Sequence, residues 1–134
     1  MRNQLTKSEF VALAEFRAAL RRFLRVVDAG AREAGVTPQQ HQMLLAIMGR
    51  PAREWATVGE LAEALQVRHH TAVGLVDRCV QLGLVRRKIS ADDRRRVEVW
   101  LSAKGARILA RVSAGNRREL EGLRALLGEI APAE

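Results

Sequence analysis

Apolar residues recur at three- and four-residue intervals from Lys7 to Ala29: Phe10, Leu13, Phe16, Leu20, Phe23 and Val27. That spacing predicts a long first helix, ended near Gly30. Val11, Ala14, Ala18 and Leu24 form a second, weaker apolar strip, so the helix needs covering on more than one side. A second helix opens at Thr37-Pro38-Gln39-Gln40, with Thr at the cap, Pro at the first helical position and Gln at the third. Met43, Leu44, Ile47 and Met48 supply its apolar face, and Gly49 with Pro51 stops it. Residues 50–56 read as a polar connection containing Trp55. Thr57-Val58-Gly59-Glu60 is a second capping box and opens a short helix with Leu61, Ala62 and Leu65 inward, broken at Gln66-Val67.

A fourth helix follows from about His69 to Leu82. Val73, Val76 and Val80, with Ala72, Leu75 and Cys79 beside them, face inward; His70, Gly74, Asp77, Arg78 and Gln81 form an outer row. Gly83 ends it, and the period changes to two. Val97, Val99 and Leu101 alternate with Glu98 and Trp100, the pattern of a half-buried strand, and Val85 to Ile89 can pair with it across a turn at Ser90 to Arg95. Ser102-Ala103-Lys104-Gly105 begins a last helix running towards Gly128. Leu109, Val112, Leu120, Leu123, Leu127 and Ile130 keep near-heptad spacing along it, Asn116 fills the slot between, and Gly115 is a place for a bend. The expected fold class is mainly α with a small β-hairpin, in a single domain of 134 residues.

Charge sharpens this outline. The chain holds 23 Lys and Arg against 15 Asp and Glu, a formal charge of +8. Residues 1–37 carry +3, residues 38–66 carry −1, residues 67–101 carry +4 and residues 102–134 carry +2. The densest basic stretch, Leu84 to Arg96, contains Arg86, Arg87, Lys88, Arg94, Arg95 and Arg96. A basic segment beside a slightly acidic one suits a polyanion. One cysteine excludes an internal disulfide framework and fits a reducing compartment. Apolar runs are too short to span a membrane, and Met1-Arg2-Asn3-Gln4 lacks a signal-peptide character, so a cytoplasmic protein is expected.

Two short helices separated by a three- to four-residue break, then a two-stranded hairpin, make the layout of a winged helix-turn-helix at 37–101, between long helices at 1–36 and 102–134. Such a unit sends the N-terminal end of its second helix into the major groove of duplex DNA. Arg68, His69, His70 and Thr71 lead that helix, Gly74 and Arg78 follow on its outer face, and the wing tip offers Arg94, Arg95 and Arg96. Wing arginines reach phosphates or the minor groove.

These residues resemble a family. Thr57-Val58-Gly59-Glu60-Leu61-Ala62, Leu75-Val76-Asp77-Arg78, Gly83-Leu84-Val85-Arg86-Arg87, and Asp92-Asp93-Arg94-Arg95-Arg96-Val97 with Leu101-Ser102-Ala103-Lys104-Gly105 are similar to the corresponding blocks of MarR-type transcription regulators. The Asp-x-Arg wing signature, Asp93 and Arg95 here, is the most specific of them. The resemblance implies a homodimer whose first and last helices intertwine and whose two winged helices read a pseudo-palindromic operator. It further implies a repressor released by a small phenolic or anionic effector bound between the dimer helices and the winged unit. The family often has Ser or Pro at the start of the recognition helix and a longer polar or basic residue where Gly74 stands. Arg68-His69-His70 therefore suggests a different operator.

Other constellations carry less. His69 and His70 point about 100° apart on a helix, and Val73 and Gly74 occupy the positions four residues on, so no metal is expected there. His41 is the one candidate ligand contact on the second helix. Cys79 falls on a core-facing position, where a thiol is usually inert. No phosphate-binding loop, no Ser-His-Asp set and no paired-carboxylate motif points to an enzyme or a cofactor. The alternatives are a protein-interaction module whose basic face takes an acidic partner, or a redox or metal sensor on the same fold.

Overall fold

The computed structural model describes residues 4–130, and side chains as far as Gly128. Met1, Arg2 and Asn3, residues 131–134 and the side chains of Glu129 and Ile130 lie outside that range. Helix α1 runs Lys7–Glu33, α2 Pro38–Met48, α3 Val58–Leu65, α4 His69–Gln81, α5 Ala103–Gly115 and α6 Arg117–Ile130. Strands β1 (Trp55–Ala56), β2 (Val85–Ile89) and β3 (Val97–Leu101) complete the architecture.

The helix starts follow from their caps. Thr6 with Glu9, Thr37 with Gln40 and Thr57 with Glu60 each form a full capping box, in which two orphan N–H groups are satisfied reciprocally. At α2, Gln40 N donates to Thr37 Oγ1 at 3.1 Å and Thr37 N donates to Gln40 Oε1 at 2.9 Å. Ser102 caps α5 through its hydroxyl, which accepts from Gly105 N at 3.0 Å. The turn from α3 to α4 is closed by Gln66 in the left-handed region, φ 55°, while Val67 N donates back to Ala62 O at 3.0 Å. Gly83, at φ +73°, takes the left-handed position that ends α4.

Three expectations are corrected. Helix α1 does not end at Gly30; it continues to Glu33 and buries Ala31 completely. A Cβ at Gly30 would stand 3.7 Å from Val112 and 3.8 Å from the Asn116 side chain, so this glycine marks where α5 passes close, within an unbroken helix. The last helix is two: α5 stops at Gly115, and Asn116, a buried residue, separates it from α6. The 50–56 connection holds a strand. Trp55 pairs with Trp100 and Ala56 with Val99, so the hairpin becomes a three-stranded antiparallel sheet ordered β1-β3-β2.

The core sits where α2 is wrapped by α1, α3, α4, α5, β1 and β3. Met43, Leu44 and Ile47 of α2, Leu61 of α3, Val76 and Cys79 of α4, and Val99 of β3 are all fully buried. Each aliphatic side chain of that size removed from water contributes about 1.5–3 kcal/mol. Helix α5 is locked to this core at its first turn. A Cβ on Gly105 would fall 2.1 Å from the carbonyl oxygen of Leu84, which accepts from Ser102 N at 2.9 Å. Lys104 Nζ donates to Leu82 O at 3.0 Å, tying the end of α4 to the same corner.

Candidate nucleic-acid interface

The break between α3 and α4 is short, Leu61 and Ala62 of α3 and Ala72 and Val76 of α4 are all buried, and the packing of the two helices on each other fixes the angle at which α4 projects. Its N-cap, Arg68, has extended backbone and makes no side-chain cap hydrogen bond, so its guanidinium is not used to close the helix. Arg68, His69, His70, Gly74, Asp77, Arg78 and Gln81 are exposed, and Thr71 is half-buried. Gly74 has open space around it: a Cβ there would meet nothing within 4 Å. Asp77 forms an ion pair with Arg87 of β2, which staples the outer face of α4 to the sheet.

The wing turn is built on Ser90. This residue is 3% exposed, and its Oγ accepts from the N–H groups of Asp92 at 3.2 Å and Asp93 at 3.3 Å. Asp93 Oδ1 in turn accepts from Arg95 N at 3.0 Å and lies 3.5 Å from Arg95 Nε. The carboxylate thus turns the Arg95 backbone while leaving its side chain 94% exposed. A cleft of about 510 Å³ opens between wing and helices, lined by Thr57, Gly59, His69, Asp93, Arg95 and Arg96 among others. So His69 at the head of α4 and the wing residues Asp93, Arg95 and Arg96 meet around one opening. His70, Gly74 and Arg78 stand on the outer row of α4 and are not part of that lining, and Arg94 is exposed at the tip.

Arg96 differs from its neighbours. Its Nη2 donates to Ser90 Oγ at 2.7 Å and lies 3.5 Å from Glu98 Oε2, while its guanidinium carbon stands 4.8 Å from the centre of the Trp55 ring. Arg53 covers the same ring at 4.0 Å and is paired with Glu60, which Arg50 also reaches at 2.9 Å. Partial burial pushes the Glu60 carboxyl up, but the hydrogen bond from Arg53, the Thr57 N–H and the nearby arginine charges outweigh it and hold its pKa below the usual value. Glu98 is buried at 7% exposure and accepts from Trp100 Nε1 at 3.1 Å. Alternation along β3 had Glu98 facing solvent; both faces of the strand are in fact covered at that point. Glu98 is enclosed by the Trp100 indole that donates to it and by the Arg96 guanidinium, and the period-two pattern alone does not signal these contacts.

His41 is buried at 4% exposure. Burial lowers its pKa, against an opposing pull from Asp28. It lines a cavity of about 330 Å³ together with Phe23, Val27, Asp28, Leu45 and Asn116. Cys79 is fully buried in the core, and burial raises its thiol pKa, the opposite of an activated thiolate. Among the described residues no group of three or more His, Cys, Asp or Glu is placed to hold a metal ion. No helix among them is long and apolar enough to cross a membrane.

Three helices with a bracing-and-presenting pair, followed by a sheet that carries an exposed turn, define a winged helix-turn-helix. Comparison with known proteins places this one further. A model of the MarR family matches residues 34–96. A relative from Thauera aromatica, named as a transcriptional regulatory protein for the hcr operon, is 30% identical over 112 residues, 84% of this chain. The chain spans 64% of that relative's length. The crystal structure of the MarR family transcription regulator SP03579 is similar at 27% identity and a TM-score of 0.67, over 90% of this chain and 75% of that one. At the level of fold alone, RV1404 from Mycobacterium tuberculosis matches with a TM-score of 0.72 at 20% identity, over 98% of this chain and 86% of that one. Sco3205 from Streptomyces coelicolor, solved in complex with DNA, matches with a TM-score of 0.68 at 22% identity, over 96% of this chain and 87% of that one. Over residues 34–96 the chain matches the MarR family, and its similarity to the MarR family regulator SP03579 extends over 90% of its length.

Proposed function

We propose that this protein is a cytoplasmic, sequence-specific, double-stranded-DNA-binding transcription regulator, and not an enzyme. The observation that carries the reading is the cleft in which the head of α4 and the wing signature converge, with Arg95 almost wholly free to reach outward. In this reading the whole chain acts as one domain. Arg68, His69, His70, Thr71 and Arg78 enter the major groove, where Arg contacts guanine and phosphates. The bare backbone at Gly74 lets the helix approach the base edges closely. Arg94 and Arg95 follow the backbone or the minor groove. The DNA complex of Sco3205 on the same fold supports the mode of docking.

The working unit is a homodimer on a pseudo-palindromic operator. Its support is the apolar surface that one chain leaves uncovered on its long helices: Phe10 is 56% exposed, Leu13 47% and Leu127 48%. The protein is a repressor released by a small molecule, and the cavity around His41 is where that molecule binds. Its lining is apolar apart from a neutral imidazole, Asp28, Gln42, Ser113 and Asn116, and it holds no arginine or lysine. A phenolic effector suits that lining better than an anionic one.

In vitro selection of bound duplexes followed by footprinting tests the whole reading. We expect a two-fold site with half-site centres roughly 10 base pairs apart, and affinity that falls steeply with salt. Arg95→Ala weakens binding to that site markedly. No preference over random DNA, beginning with fragments of its own promoter region, overturns the reading.

A further inference from the structure

The three wing arginines are not equivalent. Arg94 and Arg95 project into solvent, whereas Arg96 turns back under the wing. Its side chain is 34% exposed, its Nη2 is bonded to the buried Ser90 hydroxyl, and its Nε is buried without a hydrogen-bond partner. An arginine whose role is to reach a phosphate has no reason to leave one donor buried and unmet. Its guanidinium lies on one side of the interaction that matters here, the Trp55 ring, and that of Arg53 lies at 4.0 Å from the same ring. Arg53 is held by Glu60, whose other task is to cap α3 through the Thr57 N–H at 2.9 Å. A continuous path therefore runs from the wing turn to the helix that braces α4: Ser90, Arg96, Trp55, Arg53, Glu60 and the α3 cap.

We propose that Trp55 and Arg96 form a latch that sets the angle of the wing against the helix-turn-helix, and that Arg96 is a positioning residue acting through Arg95 instead of a DNA contact. The inference rests on the DNA-binding reading above. Ser90 gives the latch its leverage. The same hydroxyl that accepts from Arg96 also receives the Asp92 and Asp93 N–H groups, and Asp93 sets the Arg95 backbone. Moving the Arg96 guanidinium therefore moves the turn on which Arg95 is mounted. Cation–π contacts of this kind are stronger where they are partly desolvated, and both Trp55 and Arg96 are half-buried.

A double-mutant cycle in the full chain tests this, using a duplex from its own promoter region and a mixed-sequence duplex as probes. Arg95→Ala alone weakens binding about tenfold and lowers the slope of log affinity against log salt by roughly one, as expected for one lost phosphate contact. Arg96→Met alone weakens it at least as much. In the Arg96→Met background, Arg95→Ala then costs less than twofold, because a misaimed arginine has nothing left to lose. Trp55→Ala behaves as Arg96→Met does, and Trp55→Phe, which keeps a ring face, restores the wild-type response to Arg95→Ala. If the Arg95→Ala and Arg96→Met effects simply multiply, Arg96 is an independent contact and the latch is overturned.

A second arm uses fluorescence and no DNA. In a Trp100→Phe background Trp55 is the sole tryptophan. Arg96→Met then shifts its emission to the red and raises quenching by acrylamide, whereas Arg94→Ala changes neither. An unchanged Trp55 signal on Arg96→Met also overturns the latch. Absence of any duplex binding by the wild-type chain overturns the DNA-binding reading itself, and the fluorescence arm still decides whether the latch exists.

Discussion

The winged unit and the long end helices are built from similar amounts of apolar residue and end in different states. Among the described residues every buried hydrophobic one falls between Ala31 and Val112, and the fully buried ones gather around α2. Helix α1, 27 residues long, buries one residue, Ala31, near its C-terminal end. Phe10, Val11, Leu13, Leu24 and Val26 of α1 and Leu120 and Leu127 of α6 remain exposed. Exposed apolar side chains gathered on long helices are the kind of surface that marks an interaction site when they form one patch. The winged unit buries a core within one chain and leaves Leu45, Ile89 and Val97 exposed, whereas the long helices bury little of their apolar surface.

Breaking the base is expected to have the largest effect. Leu13→Glu with Leu24→Glu places two charges on the uncovered strip without touching the core. Sedimentation should then report a monomer, circular dichroism should keep its helical signal, and affinity for a two-half-site duplex should fall by about 10²–10⁴, the usual gain from linking two binding heads. A dimer that survives both charges would remove the base from the mechanism.

Breaking the winged unit comes next. Gly105→Ala drives a methyl group against the Leu84 carbonyl, which is backbone and has no rotamer to yield. Overpacking of this type costs about 1–3 kcal/mol or more, read as a lower midpoint in urea. Gly74→Ala, in open space on the same unit, goes the other way by roughly 1 kcal/mol through helix propensity.

A gentler effect comes with pH, at the seam between the two regions. Burial holds the His41 imidazole below its ordinary pKa of 6.5, so the unfolded chain takes up a proton at higher pH than the folded one. Stability contributed by the neutral ring is complete above about pH 6.5 and is lost as pH falls from there through the folded value. His41→Gln should flatten that part of the stability profile, measured by urea unfolding at a series of pH values. The smallest effect is at Gln66, a non-glycine residue at φ 55°. Gln66→Gly should relieve the left-handed strain and raise stability by about 0.5–1 kcal/mol.

The regular parts of this fold could be read from the chain because their signals are local. Thr37 with Gln40 and Thr57 with Glu60 announce helix starts within four residues, and β2 and β3 coincide with the expected Val85 to Ile89 and Val97 to Leu101. Features set by distant contacts could not be read this way. Gly30 looks like a helix end until α5 is laid against it. Trp55–Ala56 is too short for any period and becomes a strand only because β3 offers an open edge. The site divides in the same manner. The Asp93–Arg95 pair was visible as a signature, whereas the inward turn of Arg96 depends on Trp55, some forty positions earlier in the chain, and on Ser90 across the turn.

Cys79 gives the core one further property. It is the only thiol in the chain, fully buried, with burial keeping it protonated. Thiol reagents attack the thiolate, so labelling requires the core to open first. The winged unit therefore carries its own reporter: the pace at which a single sulfur is modified follows how readily the core around α4 opens.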